Sequence, residues 1–326
     1  MSEAGQSPTL SVVIPIFNEE ETLQALYERL SAALISMGEP FEVIFVNDGS
    51  RDGSERMLRE FQARDPRFKS IHFSRNFGHQ TAITCGLDHA LGAAVVAMDG
   101  DLQDPPEVLP DLLQRWRDGY EVVYAIRQKR KEGLVKRSAY KGFYWLLRRV
   151  SYLDIPLDSG DFSLIDRRVV DILKTMPERN RFVRGLRTWA GFRQIGYEYA
   201  REARFAGESK YNLSRLMKLA FDGLVSYSYV PLRLVSNVGL LVSITALAYM
   251  AYLLLARAFG GTPIAGWTST VVIVLFLGGV QLLSLGVIGE YVGRIFEEVK
   301  QRPHYVVRER VGFGDAAAGA SSRDRA

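Results

Sequence analysis

Cysteine is nearly absent, with Cys85 alone in 326 residues. No intramolecular disulfide framework is available to this chain, and Cys85, inside a helical pattern, reads as a small core residue rather than a nucleophile. The amino terminus has no basic segment followed by an apolar run, so no cleaved secretory signal is expected and the large domain is expected in the cytoplasm. No internal repeat is visible. Charge is missing altogether from Leu234 to Ala256 and again from Ala258 to Gly289. Each stretch exceeds the ~20 helical residues that cross a ~30 Å hydrocarbon layer, and only Arg257 and a Gly/Pro-containing loop separate them. Two buried helices of a soluble protein are the alternative; a membrane hairpin, with spans at about 234–256 and 268–289, is the expectation.

What the chain does contain is enough apolar material for one α/β domain of about 200 residues and an appendage, with 47% hydrophobic residues. The formal net charge is +4. Its basic residues crowd near apolar segments, which fits an anionic membrane surface and a phosphate ligand better than nucleic acid. Strand-like runs at Leu10–Pro15, Phe41–Asp48, Phe68–Phe73, Ala93–Met98 and Val122–Ala125 alternate with helical patterns at Glu20–Met37, Ser54–Arg64, His79–Leu91 and Val108–Arg117. Such alternation predicts a largely parallel sheet with right-handed crossovers. Two amphipathic segments, 134–150 and 211–230, suit a headgroup layer, with an ordinary core-facing helix as the alternative for each. The predicted organisation is a domain at 1–230, a hairpin at 231–300 and a tail at 301–326 whose last residues, 316–326, are compositionally disordered.

The chemistry concentrates where strands end. Asp99-Gly100-Asp101-Leu102-Gln103-Asp104 follows an apolar run, which puts two carboxylates at the carboxyl edge of the sheet, where α/β folds bind ligands. Mg²⁺ and Mn²⁺ favour one or two carboxylates plus substrate phosphate oxygens, so an open Asp-x-Asp suits a nucleotide-sugar diphosphate; a solvated turn is the plain alternative. Pro15-Ile16-Phe17-Asn18-Glu19 ends the first strand, Asn47-Asp48-Gly49-Ser50 the second and Ser74-Arg75-Asn76-Phe77-Gly78 the third. In a parallel sheet all of these lie at the same edge. Asp48 suits a base N–H or a ribose hydroxyl, Ser50 the same or a helix cap, and Arg75 a ligand or a solvated turn.

These segments, with Ser159-Gly160-Asp161-Phe162 and Gly207-Glu208-Ser209-Lys210-Tyr211, stand in the order found in family 2 glycosyltransferases of the polyprenyl-phosphate sugar synthase type. The chain resembles the bacterial bactoprenol glucosyltransferases over about residues 10–310 and, more distantly, dolichyl-phosphate mannose synthases. Gly100 stands where that family usually has alanine, and Phe17 where it commonly has tyrosine. The resemblance implies an α/β GT-A (Rossmann-like) domain, mostly parallel, followed by a two-helix transmembrane hairpin. It implies Mg²⁺ or Mn²⁺ at Asp99, Asp101 and Gln103, and donor binding by Pro15, Phe17, Asn18, Glu19, Asp48, Ser50, Arg75, Asp99 and Gly100. It places Arg127, Arg137, Arg201, Arg204, Ser209 and Lys210 near donor or acceptor phosphates, although Arg201 and Arg204 also suit a solvated basic loop. Asp161, then Asp158, are the candidates for a base or acceptor-orienting role, against a turn role for either.

The implied reaction is one inverting displacement, in which a polyprenyl phosphate attacks a nucleotide sugar, with UDP-glucose the first choice and GlcNAc, galactose, mannose or a modified pentose as alternatives. A phosphate monoester is largely ionised near neutral pH, its second pKa being about 6, so a strong base is not required. The implied partners are a nucleotide sugar, undecaprenyl phosphate and the membrane, without nucleic acid and with self-association left open. The expected location is the bacterial inner membrane, multi-pass, with the catalytic domain on the cytoplasmic face. A processive polysaccharide synthase is disfavoured, since no Gln-x-x-Arg-Trp motif is present. A non-catalytic partner of a lipid-sugar flippase would not need the Asp101 and Gln103 pair.

Overall fold

The computed structural model describes residues 7–127, 159–179, 181–199, 230–259 and 266–314, which fall into two compact units. The first contains β1 (Leu10–Ile16), α1 (Glu20–Met37), β2 (Phe41–Asn47), α2 (Ser54–Arg64), β3 (Phe68–Phe73), α3 (His79–His89) and β4 (Ala94–Ala97). A short 3-10 turn (Pro106–Val108) then leads into α4 (Leu109–Arg117) and β5 (Val122–Arg127). After these come β6 (Ser159–Asp166), α5 (Arg167–Thr175), α6 (Val183–Trp189) and β7 (Gln194–Tyr199). The second unit holds two long helices, α7 (Val230–Ala258) and α8 (Trp267–Val299), after which β8 (Val307–Val311) returns to the first.

The eight strands form one sheet in the order β7-β5-β6-β4-β1-β2-β3-β8. Strands β4, β1, β2 and β3 are mutually parallel, and β7 is parallel to β5. Every residue of β1 and β2 is buried. A strand covered on both faces needs no polar side, which is why these runs are largely apolar rather than alternating, with Ser11, Glu42 and Asn47 as buried polar exceptions. Their side chains still alternate between two cores. Val12, Ile14, Val43 and Phe45 face Leu23, Leu26, Leu30, Leu58, Phe61 and Leu112 of α1, α2 and α4. Val13, Ile44 and Val46 face Ala82, Ile83, Leu87, Val170 and Leu173 of α3 and α5. Each such leucine or phenylalanine contributes about 1.5–3 kcal/mol by burial, so the parallel centre is the rigid part on which the strand-end loops are mounted. Cys85 is buried in α3, as expected of a core residue.

Two features depart from the pattern of the sequence. The strand following β4 in the chain does not pair with it: β6 lies between β4 and β5, antiparallel to both. The segment expected as a tail also contributes β8, antiparallel to β3 at the sheet edge. Both come from short polar-apolar runs whose partners are distant in sequence, so local periodicity does not reveal them. The amphipathic segments 134–150 and 211–230, and the tail 316–326, lie outside the described residues, apart from Val230 at the start of α7.

In the second unit, Leu232–Tyr249 and Val272–Val299 are long and apolar enough to cross a membrane, with mean hydropathy 1.5 and 2.3. Leu240, Leu241, Leu282 and Leu285 are each more than half exposed. Apolar side chains presented outward along a whole helix suit lipid rather than water. Where α8 becomes charged, Arg294 donates to Glu290 one turn earlier at 3.0 Å, the pairing that their spacing allows.

Candidate active site

The carboxyl ends of β1, β2, β3 and β4 open onto two adjoining clefts. The first, about 370 Å³, is lined by Pro15 near the end of β1, Phe17 and Glu19 after it, Asp48 after β2, and Asp99, Gly100 and Asp101 after β4. The second, about 390 Å³, is lined by Asn18, Ser50 and Arg75, and Phe17 borders both. Every expected donor residue therefore sits in one cleft or the other. Phe17 is 45% exposed where it borders the two clefts, which leaves ring surface available for stacking.

Hydrogen bonds between loops fix the walls. Asp48 is buried and accepts from the backbone N–H groups of Phe77 at 2.6 Å and Gly78 at 2.9 Å, tying the loop after β2 to the one after β3. Burial lifts its carboxyl above the ordinary range, against the pull of those two amides. Gly49 lies between the same loops at φ +70°, where a Cβ would stand 2.6 Å from the Arg75 carbonyl carbon. Only glycine permits that approach. Ser50 Oγ accepts from Asn18 N–H at 3.0 Å, while Asn18 Oδ1 accepts from Arg51 N–H at 2.8 Å. Ser50 thus braces the loop after β1. Behind it, Asn47 accepts from Ser50 N–H and donates to buried His72, which reaches Ser70. The Arg75 guanidinium lies 4.1 Å from the centre of the Phe77 ring, a cation–π contact at the cleft wall.

The Asp-x-Asp loop is electrostatically perturbed. Burial pushes the Asp99 carboxyl up to about 6; the His79 charge opposes this, and Asp104, Asp161 and Asp101 reinforce it. Its Oδ1 atom is buried without a hydrogen bond, 3.4 Å from His79 Nε2. Leu102, buried between Asp101 and Gln103, has φ +58°, a left-handed conformation that costs a branched side chain roughly 1–2 kcal/mol. The loop is strained where it presents its carboxylates. An orphaned carboxylate oxygen amid converging negative charge is the donor chemistry a hard divalent cation fits, with phosphate oxygens completing its shell. Among the described residues no three His, Cys, Asp or Glu side chains are grouped as a closed metal cage. The expected third ligand, Gln103, donates its N–H to Asp101 Oδ1 at 3.2 Å and does not line the first cleft.

Asp161, on β6, is fully engaged. Arg184 donates to Oδ1 at 2.9 Å and to Oδ2 at 3.3 Å, and Gln80 donates to Oδ2 at 2.9 Å. His79 Nε2 lies 3.5 Å from Oδ2, so a single imidazole stands between Asp161 and Asp99. Burial works to raise the Asp161 carboxyl, but the hydrogen bonds of His79 and Arg184 outweigh it and hold the group well below the usual carboxylate range. For His79, burial favours the neutral ring, yet the Asp161 hydrogen bond and the Asp99 charge leave its pKa raised. Sequence reasoning missed His79, Gln80 and Arg184. The first two directly follow the Ser74–Gly78 segment at the start of α3, a signal that was available; Arg184 had none, because only the fold brings α6 to β6. Arg127 ends β5, and Asp158, Arg137, Arg201, Arg204, Ser209 and Lys210 lie outside the described residues.

The family described as Glycosyl transferase family 2 matches residues 11–173, and the GtrB C-terminal hairpin matches residues 230–295. The uncharacterized glycosyltransferase YkcC of Bacillus subtilis is 49% identical over 93% of this chain and 94% of its own. The chain belongs to glycosyl transferase family 2. The first cleft and the Asp-x-Asp loop fall within the matched region, and the protein is a glycosyltransferase with a GT-A-like, mostly parallel sheet. The bactoprenol glucosyl transferase of Shigella phage SfII is 41% identical over 92% of this chain and 97% of its own. Among solved structures, the mannosyltransferase PcManGT from Pyrobaculum calidifontis, in complex with GDP-Man and Mn²⁺, aligns with TM-score 0.47 and 17% identity, over 90% of this chain and 88% of that one.

Proposed function

We propose that this family 2 glycosyltransferase moves a single sugar from a nucleotide sugar, UDP-glucose first, to a polyprenyl phosphate, undecaprenyl phosphate first, with inversion at the anomeric carbon. The carrying observation is the pair of clefts at one sheet edge, in which an exposed aromatic ring and Asp48 adjoin the carboxylates of Asp99 and Asp101. The identity with bactoprenol glucosyl transferases across nearly the whole chain supports the lipid acceptor, and the two apolar helices bring the protein to the membrane that holds it. Asp99, Asp101 and Gln103 would hold Mg²⁺ or Mn²⁺, which when bound supplies positive charge to the departing diphosphate.

The chain's own residues do the rest. Pro15, Phe17, Asn18, Glu19, Asp48, Ser50, Arg75 and Gly100 bind the nucleoside end of the donor and exclude water from it. An acceptor phosphate oxygen forms the new bond to the anomeric carbon as the bond to the diphosphate oxygen breaks. Cations at Arg127, Arg137, Arg201, Arg204 and Lys210, with the Ser209 hydroxyl, offset the repulsion between two anionic substrates. Asp161 orients rather than abstracts, since three donors already occupy its carboxylate; Asp158 is its neighbour in that role. The catalytic domain at 1–230 works at the cytoplasmic face of the bacterial inner membrane, on a hairpin at 231–300.

Purified protein given radiolabelled UDP-glucose and undecaprenyl phosphate should form an organic-extractable product whose sugar is released by mild acid. Other nucleotide sugars tested side by side identify the donor. No lipid-linked product from any of them overturns the reading.

A further inference from the structure

We propose that residues 305–311, β8 (Val307–Val311) with the two residues that lead into it, form a positioning element for the donor cleft that acts through Tyr305 on the Ser74–Gly78 segment. The inference rests on the donor reading above. An added edge strand has a plain use, which is to cover the exposed N–H and C=O groups of β3. The ion pairs of Glu309 with Arg59 and of Arg308 with Glu55 serve that use, pinning β8 to α2. The contacts of Tyr305 and Val306, the two residues that lead into β8, go elsewhere.

The Val306 carbonyl accepts from Ser74 N–H at 3.0 Å, so this lead-in grips the first residue of the donor loop. The Tyr305 ring stacks on Phe73, centroids 5.2 Å apart and planes 14° apart, while its hydroxyl donates to Asp88 of α3 at 2.9 Å. Phe73 in turn meets Phe77 edge-on at 5.6 Å. Phe77 is the residue whose N–H binds Asp48 and whose ring lies under Arg75. The β3–β8 register shifts between His72 and Phe73, immediately before this loop, and such irregularities re-aim the residues beyond them. Arg308 itself lines the second cleft beside Arg75. A chain of aromatic contacts therefore runs from Tyr305, at the lead-in to β8, through Phe73 to Phe77 at the cleft wall, and removing its outer member frees the loop to open.

Full-length protein in detergent tests this with Tyr305→Ala, Tyr305→Phe and Glu309→Gln, each followed by amide hydrogen exchange over residues 74–78 and by calorimetric binding of UDP. Tyr305→Ala should speed exchange at Phe77 and Gly78 and weaken UDP about tenfold, 1.4 kcal/mol. The donor KM should rise with it, while kcat at saturating donor stays within about twofold. Tyr305→Phe keeps the ring and should match the wild type, as should Glu309→Gln, which removes an edge ion pair only. If Tyr305→Ala fails to fold, Tyr305→Leu keeps apolar volume without a stacking ring and should show the same losses. Unchanged exchange and UDP affinity in the folded Tyr305 variant, or equal losses in all variants, reduces β8 to an edge cover and overturns the inference. Wild type that binds no UDP while Tyr305→Ala still loosens the loop overturns the donor reading and leaves the positioning intact.

Discussion

Replacing Arg184 by methionine removes two N–H donors from Asp161 while keeping most of the side-chain length. Asp161 is 11% exposed and Arg184 31%. Breaking a buried ion pair by deleting one partner costs about 3–5 kcal/mol, because the other charge is stranded. With Arg184 partly in water and Gln80 and His79 still on the carboxylate, the low end applies, about 3 kcal/mol. For a domain of this size that lowers the melting temperature by roughly 6–12 °C. The sign with pH follows from the depressed Asp161 carboxyl. Its contribution is present above the ordinary value of 3.8 and is lost as pH falls through the still lower folded value, so the full effect should be seen at neutral pH. Asp161→Asn should slow transfer, and higher pH should not restore it, if the carboxylate orients the acceptor rather than taking a proton. The double variant Arg184→Met/Asp161→Asn should be more stable than the sum of the singles, with a coupling of about 1–3 kcal/mol. Thermal melting in detergent and turnover on the same preparations measure both quantities. Additive losses, or an acidic limb in the wild-type rate profile that vanishes in Asp161→Asn, would refute the reasoning.

Other perturbations probe other parts of the site. Asp101→Ala should abolish transfer without lowering the melting temperature appreciably, and a chelator should do so reversibly; full activity in either case removes the metal from the reaction. Gly49→Ala places a methyl 2.6 Å from the backbone of Arg75 at a positive φ, so it should raise the donor KM at least about tenfold, about 1.4 kcal/mol, and unchanged kinetics would show that the loops need not approach. Arg204→Ala should lower kcat/KM at least about tenfold while Arg215→Ala does little; equal mild losses would point to general membrane attraction. Cysteines at Thr262 and Ser2 should react with an impermeant maleimide from outside and only after lysis, respectively, with buried Cys85 silent; outside labelling at both would refute a hairpin with both ends in the cytoplasm.

The sequence by itself determined the parallel centre, the convergence of its strand-end motifs, and the two apolar helices. The reason is local: βαβ alternation with right-handed crossovers forces successive strand ends to one edge, and two charge-free stretches need no partner to declare themselves. Asp48, Phe17, Asp99 and Asp101 were legible as one site on that ground, before any side chain was placed. Tertiary structure alone decided the insertion of β6 between β4 and β5, because Ser159–Asp166 is a short run whose pairing depends on strands far away in the chain. It also decided the use of each carboxylate. The Asp161 oxygens are spoken for by Arg184 and Gln80, and Asp48 holds two amides of another loop, facts that depend on distances across the fold rather than spacing along it. Val307-Arg308-Glu309-Arg310-Val311 reads as a charged tail until β3 offers it an open edge, and pairing with that edge makes it a strand.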